Sequence, residues 1–426
     1  MLIKECKKAF SDGSHDGMLK NLYGEENVSP QRERYIDAIE NFEALYGSER
    51  GVSVFSVPGR SEISGNHTDH NHGCVIAAAI NLDIIAVASK SGGDTIRVKS
   101  KDFPEDIVSL KNIKADKSKY YESSELIAGI CHGFNERGRE YGAFDAYTTS
   151  DVLKGSGLSS SAAFEVMIGN ILNHLYNGGT ASAPEIAGTA QYAENVFFGK
   201  PCGLMDQTAC AVGGFVTIDF KDPVAPVIEK LDFDLTAQGY KLCMVNTGGN
   251  HADLNEDYAS IPGEMKKIAA YFGQEYLRGL KTEDIIDHIG ELRRAAGDRA
   301  VLRALHFIEE NDRVKTQIGN LRSGNLNAFL DEINNSGDSS YKKLQNAFTV
   351  KNVNEQGISL ALAIAGYILR GKKSACRVHG GGFAGTIQAF IPEDAVEPFT
   401  ALFNKIFGDG SCVILNVRAS GAVKVV

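Results

Sequence analysis

LKGSGLSSSAA, residues 153–163, places small residues and three consecutive serines before an apolar helical face made by Phe164, Met167, Ile168, Ile171, Leu172 and Leu175. A Gly/Ser loop entering a helix leaves backbone N–H groups unpaired at the positive end of the helix dipole, where an anion can approach them. The stretch predicts a phosphate cradle, with the serine hydroxyls as further donors or as a magnesium ligand. For such a loop in isolation, a flexible turn before a helix is the competing reading.

Downstream, a second helix is expected from about Pro184 to Phe198, stopped by Gly199 and delivering PCGLMDQ on its far side. Asp222-Pro223 and Pro226 mark the best domain boundary. Upstream, the β-branched run VSVFSV at 52–57 and the apolar run VIAAAINLDIIAVAS flank HTDHNH at 67–72, which therefore sits in a loop between extended elements. Tyr35, Ile36, Ile39, Phe42 and Leu45 recur at helical spacing between Pro30 and Gly47. The first 30 residues are polar and carry Gly13, Gly17 and Gly24, which predicts a loosely packed arm or capping segment.

The chain has 426 residues, so two domains with a site between them are the first expectation. A hydrophobic share of 43% and a charged share of 23% argue against both disorder and a membrane protein. The net charge of −10, without clustered Lys or Arg, disfavours nucleic acid or an anionic membrane and favours a small-molecule partner. Eight cysteines without a C-x-x-C pair read as reduced thiols, and MLIKECKKAF lacks an apolar signal core, so a cytoplasmic location is expected.

Two motif matches fail on context. Gly380, Gly382 and Gly385 spell G-x-G-x-x-G but precede the alternating strand TIQAFI, and Gly366 to Lys373 lacks the Ser or Thr of a nucleotide loop. HTDHNH offers two chemistries, a divalent metal or the hydroxyls of a sugar. The H-x-H-x-D-H pattern of metallo-β-lactamase-like hydrolases has Gly65 at its first position here, which cannot ligate.

Taken together, the motifs resemble those of the galactokinase branch of the GHMP kinases. The family's G-R-x-N-L-I-G-E-H-T-D-Y-N-x-G is similar to GRSEISGNHTDHNHG at 59–73, and its P-x-G-x-G-L-S-S-S-A loop to LKGSGLSSSAA, with Leu153 in place of Pro. Its Gly-rich loop between strands matches GGGFAG at 380–385, and CGLMDQ at 202–207 resembles the segment carrying the catalytic Asp. The resemblance covers roughly residues 50–426 and implies an α/β (α+β) two-domain GHMP kinase fold. Its N-terminal domain, 31–220, would be ribosomal protein S5 domain 2-like, and its C-terminal domain, 221–426, ferredoxin-like, after an arm at 1–30.

The resemblance further implies ATP-dependent phosphorylation of a sugar at its anomeric hydroxyl, galactose first. Asp206 would be the base and Arg60 would face the transferred phosphoryl group. Asn66, His67, Asp69, His70, Gly203 and Tyr258 would bind the sugar. Gly155, Ser156, Gly157, Leu158, Ser159, Ser160, Ser161, Gly381 and Gly382 would bind ATP, with Ser161 and Glu194 holding Mg2+. The competing reading of Asp206 is a helix N-cap, and without the resemblance Glu194 reads better as a surface carboxylate. Asn66 and His70 replace the family's Glu and Tyr, and the usual Ser-His is missing near 335–348. Asn66 and His70 keep open a kinase for another sugar or amino sugar such as N-acetylgalactosamine; a non-catalytic sugar and ATP sensor on the same fold is a further alternative, against which the intact GLSSSAA, Arg60 and Asp206 argue. A metal-dependent hydrolase stands third.

Overall fold

The computed structural model describes residues 1–152, 157–249 and 254–426. Twelve strands are found among them: β1 Ser53–Ser64, β2 Cys74–Lys90, β3 Thr95–Ser100, β4 Glu105–Ser109, β5 Phe144–Ser150, β6 Phe215–Asp219, β7 Val227–Leu231, β8 Tyr240–Asn246, β9 Ala375–His379, β10 Thr386–Pro392, β11 Cys412–Leu415 and β12 Val423–Lys424. The helices that matter here are α1 Ile3–Ser11, α2 Asp16–Tyr23, α3 Val28–Tyr46, α4 Ser123–Glu136, α5 Ser160–Tyr176, α6 Ala183–Tyr192 and α7 Met205–Val212. No helix among the described residues is long and apolar enough to cross a membrane.

β2 organises the first sheet, in the order β12-β1-β2-β5-β3-β4, with β6 also pairing β2 and carrying β7 on its other edge. Helices cover both faces, which is why β2 reads as an almost continuous apolar run. Ile84, Ala86 and Ala88 face the side of α4 to α6, whereas Ile85 and Val87 join the cluster under α1 to α3. The second sheet is antiparallel in the order β11-β8-β10-β9, the 4-1-3-2 arrangement of a β-α-β-β-α-β unit.

Residues 1–30 correct the expectation of a loosely packed arm. Ile3, Cys6, Phe10, Leu19, Leu22 and Tyr23 are buried against α3 and the outer face of the sheet. Their helical spacing is broken into short pieces by Gly13 and Gly24, both at positive φ, which hides the pattern in the sequence. β7 and β12, although past residue 220, pair with the first sheet. The turn around Asp222 is thus a hairpin at its edge.

Asp83 ties the layers together. Its carboxylate, fully buried, accepts from Arg34 Nη1 at 2.7 Å, Arg418 Nη1 at 3.1 Å and Tyr23 Oη at 2.5 Å, and also from Ser56 Oγ. Burial opposes its charge, but the two guanidiniums and the hydroxyl donors outweigh this and hold its carboxyl below the usual range. Asp83→Ala is expected to cost about 3–5 kcal/mol in chemical denaturation, because two arginines lose their buried partner.

Beyond Val57, one edge of β1 has no strand partner among the described residues; Arg60 N donates to Leu158 O at 3.1 Å, and side chains from the second half of the chain satisfy the backbone past it. His379 Nε2 accepts from Glu62 N at 3.2 Å, while Gln388 Nε2 donates to Glu62 O at 2.8 Å and Arg377 Nη1 to Ile63 O at 2.8 Å. His306, also fully buried, has its two ring nitrogens 2.9 Å from Ser339 Oγ and Asn66 O. Burial pushes the His306 pKa down to about 4, against the pull of Glu310. A histidine whose folded pKa lies below its unfolded value of 6.5 gives its full stability above that value and loses it as pH falls toward 4. The thermal midpoint should therefore fall between pH 7 and pH 5, and His306→Gln should flatten that slope; an unaltered slope would place the loss in other groups.

Candidate active site

Arg60 and Asp206 meet as a fork. Asp206 opens α7, and its Oδ1 and Oδ2 accept from Arg60 Nε and Nη2 at 2.7 and 2.5 Å. The β1–β2 register shifts between Pro58 and Arg60, a local irregularity of the kind that re-aims side chains next to active sites. Gly59 is needed there, since a Cβ would lie 2.8 Å from Leu158 O. The third Arg60 nitrogen donates to Gly157 O, so the guanidinium also holds the Gly/Ser loop. Burial opposes the charge on Asp206, but Arg60 and the Ser159 hydroxyl keep its carboxyl below the usual range.

Ser159 precedes α5 at φ +57 and makes no side-chain cap; its hydroxyl donates to Asp206 instead. Among the described residues no side chain caps the start of α5, as an anion site requires. Leu158 is buried, Ser160 is half-buried and Ser161 is exposed on that turn. Gly155 and Ser156 lie outside the described residues.

One turn along α5 from Ser161 is Glu165, fully buried. Gln207 Nε2 donates to Glu165 Oε2 at 3.0 Å and to Glu194 Oε2 at 2.8 Å, bridging two carboxylates. Burial, and then Glu194, raise the Glu165 pKa well above the carboxylate range. Among the described residues, Glu165 Oε1 and Gln207 Oε1 are buried without partners. Glu194 lies on a π-helical turn, Ala193–Phe198, and Lys200 Nζ pairs with its Oε1 at 2.8 Å.

A cavity of about 230 Å³ beside Asp206 is lined by Glu62, Gly65, Asn66, His67, Asp69, His70, Val75, Met205, Gly380 and Gly381. The His67 and His70 rings of HTDHNH lie 5.7 Å apart, but their nitrogens take separate partners: His67 Nε2 meets Gly381 O at 3.0 Å and His70 Nδ1 meets Asn71 Nδ2 at 2.8 Å, while His72 stacks on Tyr276. Among the described residues no group of three or more His, Cys, Asp or Glu is placed to hold a metal. His70 Nε2 is buried and unpartnered; burial, then the charges of His67, Lys266 and His306, lower its pKa to about 3, so the ring is neutral. Asp69 lies against Gly203, where a Cβ would come within 2.8 Å of its Oδ2. Burial raises the Asp69 pKa despite His67.

Four of the expected residues also serve the frame of the site. The Asn66 amide is fully engaged, donating to Glu62 Oε1 at 2.9 Å and Gly380 O at 2.7 Å and accepting from Asn346 Nδ2 at 2.7 Å. Tyr258 Oη donates to Gly382 O at 3.0 Å and its ring packs edge-on against Phe383, so Tyr258 props the Gly-rich loop. Gly381 lines the cavity, and Gly382 at φ +81 packs against Asn346 O. Glu62, Arg377, Glu165, Gln207 and Lys200 escaped the sequence reading. The signal for the first was present: the family motif has Asn where this chain has Glu62 and Glu where it has Asn66. Amide and carboxylate have exchanged places, and Arg377 Nη2, 3.0 Å from Glu62 Oε1, neutralises the relocated charge.

Residues 40–90 match the galactokinase galactose-binding signature and 125–214 the GHMP kinases N terminal domain. A galactokinase of Streptomyces coelicolor is 30% identical over 86% of this chain and 92% of its own. One from Actinobacillus pleuropneumoniae serotype 5b is 33% identical over 84% and 90%. Lactococcus lactis galactokinase complexed with galactose superposes with a TM-score of 0.75 at 22% identity, covering 90% of this chain and 98% of that one. Methanococcus jannaschii mevalonate kinase gives 0.61 at 14% identity over 86% and 98%. With curated relatives at 30% identity or more spanning most of both chains, this chain belongs to the galactokinase family of the GHMP kinases.

Proposed function

We propose that the chain transfers the γ-phosphoryl group of ATP to the anomeric hydroxyl of D-galactose, giving galactose 1-phosphate and ADP. The observation that carries this reading is the Arg60–Asp206–Ser159 junction, set between the uncapped start of α5 and the cavity of His67, Asp69 and His70. An ionised Asp206 orients the hydroxyl and accepts its proton late, while Arg60 and the first-turn N–H groups of α5 neutralise charge on the transferring group. His67, Asp69 and the unpartnered His70 Nε2 offer polar contacts to the sugar hydroxyls.

The Glu194 carboxylate is held by Lys200 Nζ and Gln207 Nε2, but the buried Glu165 Oε1 and Gln207 Oε1 beside it have no partner among the described residues, and hard oxygen donors of this kind fit magnesium. Ser161 and Glu194 would hold it, the remaining ligands coming from the nucleotide. The ion supplies Lewis-acid charge neutralisation on the phosphates when bound.

Asp206→Asn should keep its circular dichroism and nucleotide binding but lose roughly 10²–10⁴-fold in ADP release with galactose. Near-native turnover would remove Asp206 from the chemistry. A folded pKa held below the ordinary 3.8 means Asp206 stays charged until pH drops beneath that value. The rate of native enzyme should therefore show no acid limb from Asp206 between pH 5 and pH 8. In a panel of free sugars galactose should be turned over fastest, and preference for N-acetylgalactosamine would reassign the substrate.

A further inference from the structure

Lys200 has no part in the roles assigned above, yet it supplies the cation facing Glu194. The Glu194 side chain is 3% exposed, whereas that of Lys200 is 54% exposed. A carboxylate so deeply buried needs a positive partner. Lys200 reaches it from just past the π-helical turn, after Gly199 at φ +79. Its own backbone N–H is bonded to Glu194 O at 3.1 Å. The loop is thus pinned at its backbone while the ammonium rides on a flexible stem, and only side-chain torsions need change for Nζ to leave.

We propose that the Lys200 ammonium is a resident counter-ion, occupying the cation position at Glu194 in the nucleotide-free enzyme and yielding it to the divalent ion that arrives with ATP. The proposal rests on the assignment of Glu194 to the metal made above. Before loading, Arg60 balances Asp206 and Lys200 balances Glu194. With a divalent ion at Glu194 the ammonium is no longer needed there, and its flexible stem lets it return to solvent. Loading is then an exchange of cations, in which the buried carboxylate is never left bare.

The test measures Mn2+ binding by electron paramagnetic resonance on the full chain with saturating ADP, together with the melting temperature of the nucleotide-free protein. Lys200→Met should melt lower than native without nucleotide and bind Mn2+ about three- to tenfold more tightly, since no internal cation competes. Lys200→Arg, which keeps the charge, should bind it no more tightly than native. Unchanged or weaker Mn2+ binding in Lys200→Met overturns the exchange. Glu194→Gln separates the two levels: if it binds Mn2+ as native does, the metal assignment fails and the proposal falls with it. If Glu194→Gln loses Mn2+ while Lys200→Met gains nothing, the assignment stands and the exchange alone is wrong.

Discussion

Arg377 is wholly buried, and a buried guanidinium must find an acceptor for its charge. It finds Glu62 and the carbonyl of Ile63 on the unpaired edge of β1. That edge in turn needs Arg377, Gln388 and His379 to satisfy its backbone. The requirement is mutual, so β9 and β10 must dock on β1, and their connecting Gly-rich loop must lie over HTDHNH. The cavity exists because this seam closes.

The same logic governs the charges around the cavity. Two carboxylates held below their usual range have a cation placed on them, Arg60 on Asp206 and Arg313 on Glu310, and Lys200 pairs with Glu194. Where burial is not offset in this way the neutral form is favoured, as with His70, His306 and Glu165. A site built this way holds its dipoles in position before substrate arrives, which is the arrangement that favours phosphoryl transfer.

Some of this was legible in sequence. The Gly/Ser loop opening α5, the loop between β1 and β2, and the placing of GGGFAG between two strands follow from local periodicity and turn residues, which act over a few positions. The two short N-terminal helices were not legible, because glycines divide their apolar spacing into pieces below the length at which a pattern stands out. Asn66 looked like a determinant of sugar choice since it departs from the family motif. Its side chain is consumed by Glu62, Gly380 and Asn346, partners up to 314 positions away.

The sequence by itself determined the family, the order of the motifs and the residue types of the site, because these depend on neighbours within one loop or one helix. Only the tertiary structure decided which side chains face the cavity and which are spent in holding it together. Pairing of buried polar groups is a matter of distance in space, and nothing in the spacing of Glu62 and Arg377, or of Gln207 between Glu165 and Glu194, announces that they meet.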